Sequence, residues 1–164
     1  MRMDQPSQLE SVAPSPSPPI HIAILAGGAS RRMGRDKKGL TLGGATYLDR
    51  ICGAAQATGH HVHVIERDLV PHSGPLSGIV TAMRLRPGSP FLFLPCDIPL
   101  VTTLALQSFL GQIHEPARAY FLRLDGFCGF PFHLPATAVE AVESRLRTGE
   151  YSLQKLAAEL DPLE

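Results

Sequence analysis

Hydrophobic residues along this chain fall into short unbroken runs that alternate with stretches where they recur every three or four positions, the signatures of buried strands and amphipathic helices. Ile20-His21-Ile22-Ala23-Ile24-Leu25 is a β-branched run that stops at Gly27-Gly28, which predicts a first strand closing in a tight loop. Over residues 45–58 the positions Leu48, Ile51, Cys52 and Ala55 keep helical spacing, and Gly59 stands where a helix commonly ends. Residues 61–65 read as a second strand and 76–85 as a short helix. Residues 90–94 form a third run, apolar throughout and therefore expected to be buried on both sides. Another helix is expected over 102–110. Residues 118–124 and 127–134 flank Asp125-Gly126 like the arms of a hairpin, and amphipathic helices follow over 136–147 and about 152–160.

Strands alternating with helices predict an α/β fold, a mostly parallel sheet covered on both faces, whose ligands bind beyond the carboxyl ends of the strands. Residues 1–19 contain five prolines among Ser and Gln, so they are expected to form a disordered tail ahead of a single domain over 20–164. That tail lacks the apolar core of a signal peptide, and no run approaches the ~20 residues of a membrane span.

Composition narrows the partners. Fifteen basic residues balance fifteen acidic ones, so the net charge gives no reason to expect binding to nucleic acid or membrane, and an anion site would have to be built locally. Cys52, Cys96 and Cys128 are odd in number and match neither a disulfide framework nor a zinc pattern, which suits a reducing cytoplasm. His61 and His63 share a strand face without a carboxylate or thiolate neighbour, and read as ordinary edge-strand polar residues rather than metal ligands.

Such a local anion site is visible after the first strand. Gly27 and Gly28 lack side chains, so their backbone N–H groups can approach a phosphate closely. Ser30, Arg31, Arg32, Arg35, Lys37 and Lys38 follow within ten residues, a donor set suited to a triphosphate. Neither GxxxxGK[ST] nor GxGxxG is present, so the standard phosphate-loop and dinucleotide motifs do not apply. After the third strand the chain reads Pro95-Cys96-Asp97-Ile98-Pro99, which places a carboxylate at the end of a central strand. There Asp97 could hold Mg²⁺ against substrate phosphates, or it could be a turn acid or helix N-cap near Pro99. Asp68 precedes a second turn, Gly74-Pro75-Leu76-Ser77-Gly78, from which it could reach base, ribose or metal.

Together, Leu25-Ala26-Gly27-Gly28-Ala29-Ser30-Arg31-Arg32-Met33-Gly34-Arg35-Asp36-Lys37, Gly74-Pro75-Leu76-Ser77-Gly78 and Pro95-Cys96-Asp97-Ile98-Pro99 resemble the molybdenum cofactor guanylyltransferases. The resemblance implies a three-layer αβα Rossmann-like nucleotidyltransferase fold. It implies that GMP passes from GTP to the terminal phosphate of molybdopterin or Mo-molybdopterin with Mg²⁺ as cofactor, releasing pyrophosphate. By the same resemblance Leu25, Ala26, Gly27, Gly28, Ser30, Arg31 and Asp68 would hold the nucleotide, Lys37 its phosphates, and Asp97 the magnesium. Lys37 and Asp97 would be the catalytic pair, and molybdoenzymes or their chaperones the recipients of the product. The related CTP-using cytidylyltransferases typically carry Ala-Ala-Gly where this chain has Ala26-Gly27-Gly28, so the resemblance favours guanine. Two departures stand beside it: the stretch between the first helix and Gly74 has room for one strand where the family usually has two, and no Asn-x-Asn segment precedes Glu164. A binding or regulatory protein of the same fold, without turnover, is the alternative they leave open.

Overall fold

The structure, a computed structural model, describes residues 18–27, 40–67 and 74–160. Its seven strands are β1 (His21–Leu25), β2 (Thr41–Leu42), β3 (Ala45–Thr46), β4 (Val62–Ile65), β5 (Phe91–Pro95), β6 (Tyr120–Leu124) and β7 (Phe127–Leu134). The helices are α1 (Tyr47–Gln56), α2 (Pro75–Leu85), α3 (Thr103–Leu110), α4 (Val139–Thr148) and α5 (Leu153–Leu160), with a 3₁₀ turn Ala136–Ala138 leading into α4. Five strands form the main sheet in the order β4-β1-β5-β7-β6, and β2 and β3 make a separate small hairpin. β4, β1 and β5 are parallel, and β7 alone runs against the other four, so the sheet is mostly parallel.

Side chains alternate across each strand, and both faces of this sheet are apolar, which is why β1 and β5 read as unbroken hydrophobic runs. One face presents Ala23, Leu25, Phe91, Phe93, Phe132 and Leu134 to α2, α4 and α5, through Leu76, Ile79, Met83, Val142 and Leu156. The other presents Ile22, Ile24, Leu92 and Leu94 to α1 and α3, through Ile51, Ala55 and Leu106. Each residue named in these two sets is buried.

The β2–β3 hairpin was not visible in the hydrophobic pattern, because a two-residue strand is too short to show a period. Its signal is Gly43-Gly44, both at positive φ (+59° and +85°), the backbone that tight hairpin turns require. Since Ala45 and Thr46 belong to β3, the helix expected from residue 45 begins at Tyr47. Thr46 caps it: its hydroxyl accepts from the Asp49 N–H at 3.0 Å, and the Asp49 carboxylate accepts from the Thr46 hydroxyl at 2.6 Å. This reciprocal capping box satisfies an otherwise orphaned N–H of the first turn. Thr46→Ala is accordingly expected to lower stability by about 1 kcal/mol. A urea unfolding midpoint equal to that of the parent protein would contradict that role.

The β6–β7 hairpin turns on Asp125 and Gly126, with φ of +49° and +80°. Between Phe121 and Leu122 the register with β7 shifts: Phe121 pairs with Phe132, but Leu122 pairs with Gly129. β7 therefore changes neighbours along its length. Its carboxyl end ladders with β5, and its amino end projects past β5 with β6 alone.

Candidate functional site

The ends of β4, β1 and β5 coincide. Leu25 pairs with Ile65 on one side and Pro95 on the other, and the Ala26 N–H donates to the Ile65 carbonyl at 2.9 Å as the chain leaves the sheet. Leu25 and Ala26 are buried, while Gly27 is half-buried at the rim. In the register of β1 with β5, Gly27 and Asp97 each stand two residues beyond the last pair, on neighbouring strands of a sheet whose strand spacing is about 4.8 Å. The structure thus brings Leu25, Ala26, Gly27 and Asp97 to one edge.

Asp97 is exposed, three positions past the four fully buried residues of β5 and separated from them by the half-buried Pro95 and Cys96. It lies in the turn at residues 96–97, just before a second turn that closes through the Val101 N–H and the Ile98 carbonyl at 3.0 Å. The amino end of α3 is capped by Thr102, whose hydroxyl accepts from the Ala105 N–H at 3.2 Å. Asp97 is therefore not the N-cap, which removes one of the two structural roles the sequence left open for it. Gly28, Ser30, Arg31, Arg32, Arg35, Lys37, Lys38 and Asp68 lie outside the described residues.

The Gly74–Gly78 stretch is corrected by the structure. Only Gly74 is turn, at φ +60° and ψ −148°, a conformation that side-chain-bearing residues rarely adopt; Pro75 already opens α2. Proline's fixed φ suits a first helical position, where its missing N–H costs nothing. Leu76, Ser77 and Gly78 are consequently buried in the helix and offer the rim no side chain.

Two residues at this edge were missed by sequence reasoning. Arg67 is exposed two positions beyond Ile65, level with Gly27 in the register of β1 with β4, and adds a cation to the rim. Its only sequence signal is its place next to Asp68. Gln154 of α5 receives the Cys128 N–H at 2.7 Å and donates to the Cys128 carbonyl at 2.6 Å, bridging 26 positions with no periodic or motif signal. The rim is also flanked by exposed apolar side chains, Leu100 and Leu104 before and within α3, and Leu122, Leu124 and Phe127 on the β6–β7 hairpin.

Among the described residues no group of three or more His, Cys, Asp and Glu side chains could hold a metal ion. The histidines at the opposite, amino-terminal edge of the sheet do meet. His21 Nδ1 lies 3.0 Å from His63 Nε2, and His61 stacks on His21 at a ring separation of 5.4 Å. Burial and the neighbouring His63, His61 and Arg86 push His21 below its ordinary value, and burial, Arg86 and His61 do the same for His63. Both are thereby favoured in the neutral form. Among the described residues no helix is long and apolar enough to cross a membrane.

Residues 22–163 match the MobA-like NTP transferase domain. The "Probable molybdenum cofactor guanylyltransferase" of Opitutus terrae is 31% identical over 156 residues, covering 84% of this chain and 77% of its own length. A molybdenum cofactor guanylyltransferase of Pseudomonas syringae pv. syringae is 29% identical over 170 residues, covering 92% and 84%. Among solved structures, molybdopterin-guanine dinucleotide biosynthesis protein A of Archaeoglobus fulgidus superposes with a TM-score of 0.69 at 17% identity, over 86% of this chain and 80% of that one. At that identity the likeness concerns the fold, in which both share a three-layer αβα nucleotidyltransferase architecture.

Proposed function

Because the chain belongs to the MobA-like NTP transferase domain family, we propose that it transfers GMP from GTP to the terminal phosphate of molybdopterin or Mo-molybdopterin. A phosphate oxygen of the acceptor attacks the α-phosphorus of GTP. A new P–O–P bond forms, the α–β phosphoanhydride bond breaks, and pyrophosphate leaves with the bonding electron pair. The observation that carries this reading is the common end of β1 and β5, with Gly27 and Asp97 equally far past their last pair.

On this reading Leu25 and Ala26 form the buried base of the nucleotide site, and Gly27 with Gly28 lets backbone N–H groups reach it. Ser30, Arg31 and Lys37 would bind the phosphates, and Asp68 would contact the nucleotide. These assignments follow the family's motif and the donor chemistry of the residues. The donor set at the rim also fits Mg²⁺. Asp97 offers an exposed hard oxygen, and Mg²⁺ is commonly held by one or two carboxylates together with substrate phosphates and water. When bound, the ion would neutralise charge on the phosphoryl oxygens and the departing pyrophosphate. Catalysis by the protein itself is then a matter of holding two phosphate groups in line and compensating their charge.

Isothermal titration in the presence of Mg²⁺ is expected to show GTP binding more tightly than CTP or ATP. Equal affinities would remove the guanine assignment. Labelled GTP incubated with molybdopterin should yield labelled dinucleotide and pyrophosphate, whereas binding of both ligands without pyrophosphate release would make this a carrier or regulator rather than a transferase.

A further inference from the structure

The hydrogen bonds of Gln154 to β7 have a geometry that a helix side chain rarely offers a strand. Residues 132–134 of β7 ladder with residues 91–93 of β5, but above Phe93 that ladder ends. Pro131 has no N–H to contribute, and β5 turns away after Pro95. The amino-terminal part of β7 thus loses its inner neighbour while keeping β6 as its outer one. Cys128 pairs with Arg123 of β6, yet its own N–H and carbonyl both go to Gln154, so they point away from β6 toward the missing strand. A carboxamide carries one acceptor and one donor side by side, and here it makes the same two bonds that an antiparallel strand residue would make.

The place where this happens matters. With residues 130 and 131 bulged out of β7, the pairings of Phe93 with Phe132 and of Arg123 with Cys128 bring Cys128 level with Pro95 at the end of β5, so the braced stretch of β7 stands beside the start of the Asp97 turn. Gln154 is carried by a fixed helix: Leu156 and Ala157 are fully buried. Arg145 of α4 holds α5 from outside, donating to Glu159 at 2.6 and 3.0 Å and to the Lys155 carbonyl at 3.1 Å. Beyond Cys128 the hairpin has little packing of its own, with Leu124 75% and Phe127 70% exposed.

We propose that Gln154 is a positioning residue: acting in place of a missing strand, it holds residues 127–129 of β7 upright beside the Asp97 turn as the acceptor-side wall of the transfer site. This rests on the transferase reading above. A purely structural brace would act on stability alone; Cys128 is buried, so losing the two bonds lowers stability as well, and the positioning role is read from the acceptor. What disappears is the fixed position of the wall. The nucleotide side is built on β1, which β5 separates from β7.

Steady-state transfer with Mg-GTP and molybdopterin tests this in Gln154→Met, which keeps length and helix propensity and removes both bonds. Its KM for molybdopterin is expected to rise roughly five- to tenfold, as for the loss of one to two ordinary hydrogen bonds, with the KM for GTP unchanged and the thermal midpoint lowered. Gln154→Glu supplies a second readout that does not depend on the first variant folding. A protonated carboxyl group can donate and accept like the amide, while the carboxylate can only accept. Relative to the parent at the same pH, its acceptor KM should lie above the parent value near neutral pH and fall toward it as the pH is lowered toward the ordinary carboxyl value of about 4.3. An unchanged acceptor KM in both variants, or an equal rise for GTP and acceptor, would overturn the proposal. An inactive parent protein would instead sink the transferase reading, and this inference with it.

Discussion

Asp97→Asn is expected to lower the turnover of Mg²⁺-dependent nucleotidyl transfer by about two to three orders of magnitude, the usual loss when one electrostatic stabiliser of a transition state is removed. The substitution changes a charge and hardly any volume. Asp97 is exposed, the four residues before Pro95 that anchor its turn are fully buried, and Thr102 caps α3. For an exposed carboxylate replaced by its isostere, the thermal midpoint should move by no more than an exposed substitution usually causes, about 0.5 kcal/mol in stability. Initial rates across a magnesium titration, beside circular-dichroism melting of both proteins, separate the two effects. If the variant turned over like its parent, Asp97 would have no part in holding the metal. If it unfolded early, its role would lie in the turn.

The place of Asp97 just past the end of a central strand could be read from the sequence because it follows from local pattern. Phe91 to Leu94 is too uniformly apolar to be an edge or a surface element, and in a sheet of parallel strands the residue just past such a run faces the ligand edge. The exit of the chain from the sheet at Ala26 and Gly27 was legible for the same reason, and Asp125-Gly126 announced its hairpin through two residues that tolerate positive φ. The order β4-β1-β5-β7-β6 carries no such local mark, since it depends on which faces bury each other after the chain has folded. Gln154 was invisible for that reason. Its partners are backbone atoms of Cys128, and nothing in the identity of residue 128 records that its strand has lost a neighbour there. Arg67 came to the rim only once the pairing of Leu25 with Ile65 fixed how far β4 extends. What local pattern left out is, in each case, set by register between elements far apart in the chain.

The same strand that carries the Cys128 brace carries a buried histidine, and it makes stability depend on acid. His133 is fully buried, packs edge-on against Tyr120 at 5.9 Å, and is bonded through Nδ1 to the Arg118 carbonyl at 3.0 Å. Its Nε2 is buried with no hydrogen-bond partner among the described residues, so a second proton would sit there uncompensated. Burial lowers its pKa from 6.5 to about 4, against the smaller opposing effect of the Arg118 carbonyl. In the unfolded chain the imidazole protonates near its ordinary value, so between these two pH values the unfolded state binds the proton and the folded state does not. Stability is therefore intact above pH 6.5 and is lost progressively as the pH falls toward 4. At about 1.4 kcal/mol for each tenfold change in proton affinity, the loss reaches about 3 kcal/mol, a large share of the 5–15 kcal/mol typical of a domain. His21 and His63, also held below their ordinary values, push in the same direction in any variant that keeps them. The contribution of His133 is isolated by comparing urea unfolding of the parent with that of His133→Leu at about pH 7 and about pH 4. The parent should lose about 3 kcal/mol more than the variant over that interval. Parallel losses in the two proteins would mean that His133 takes up its proton as readily in the folded protein as in the unfolded chain.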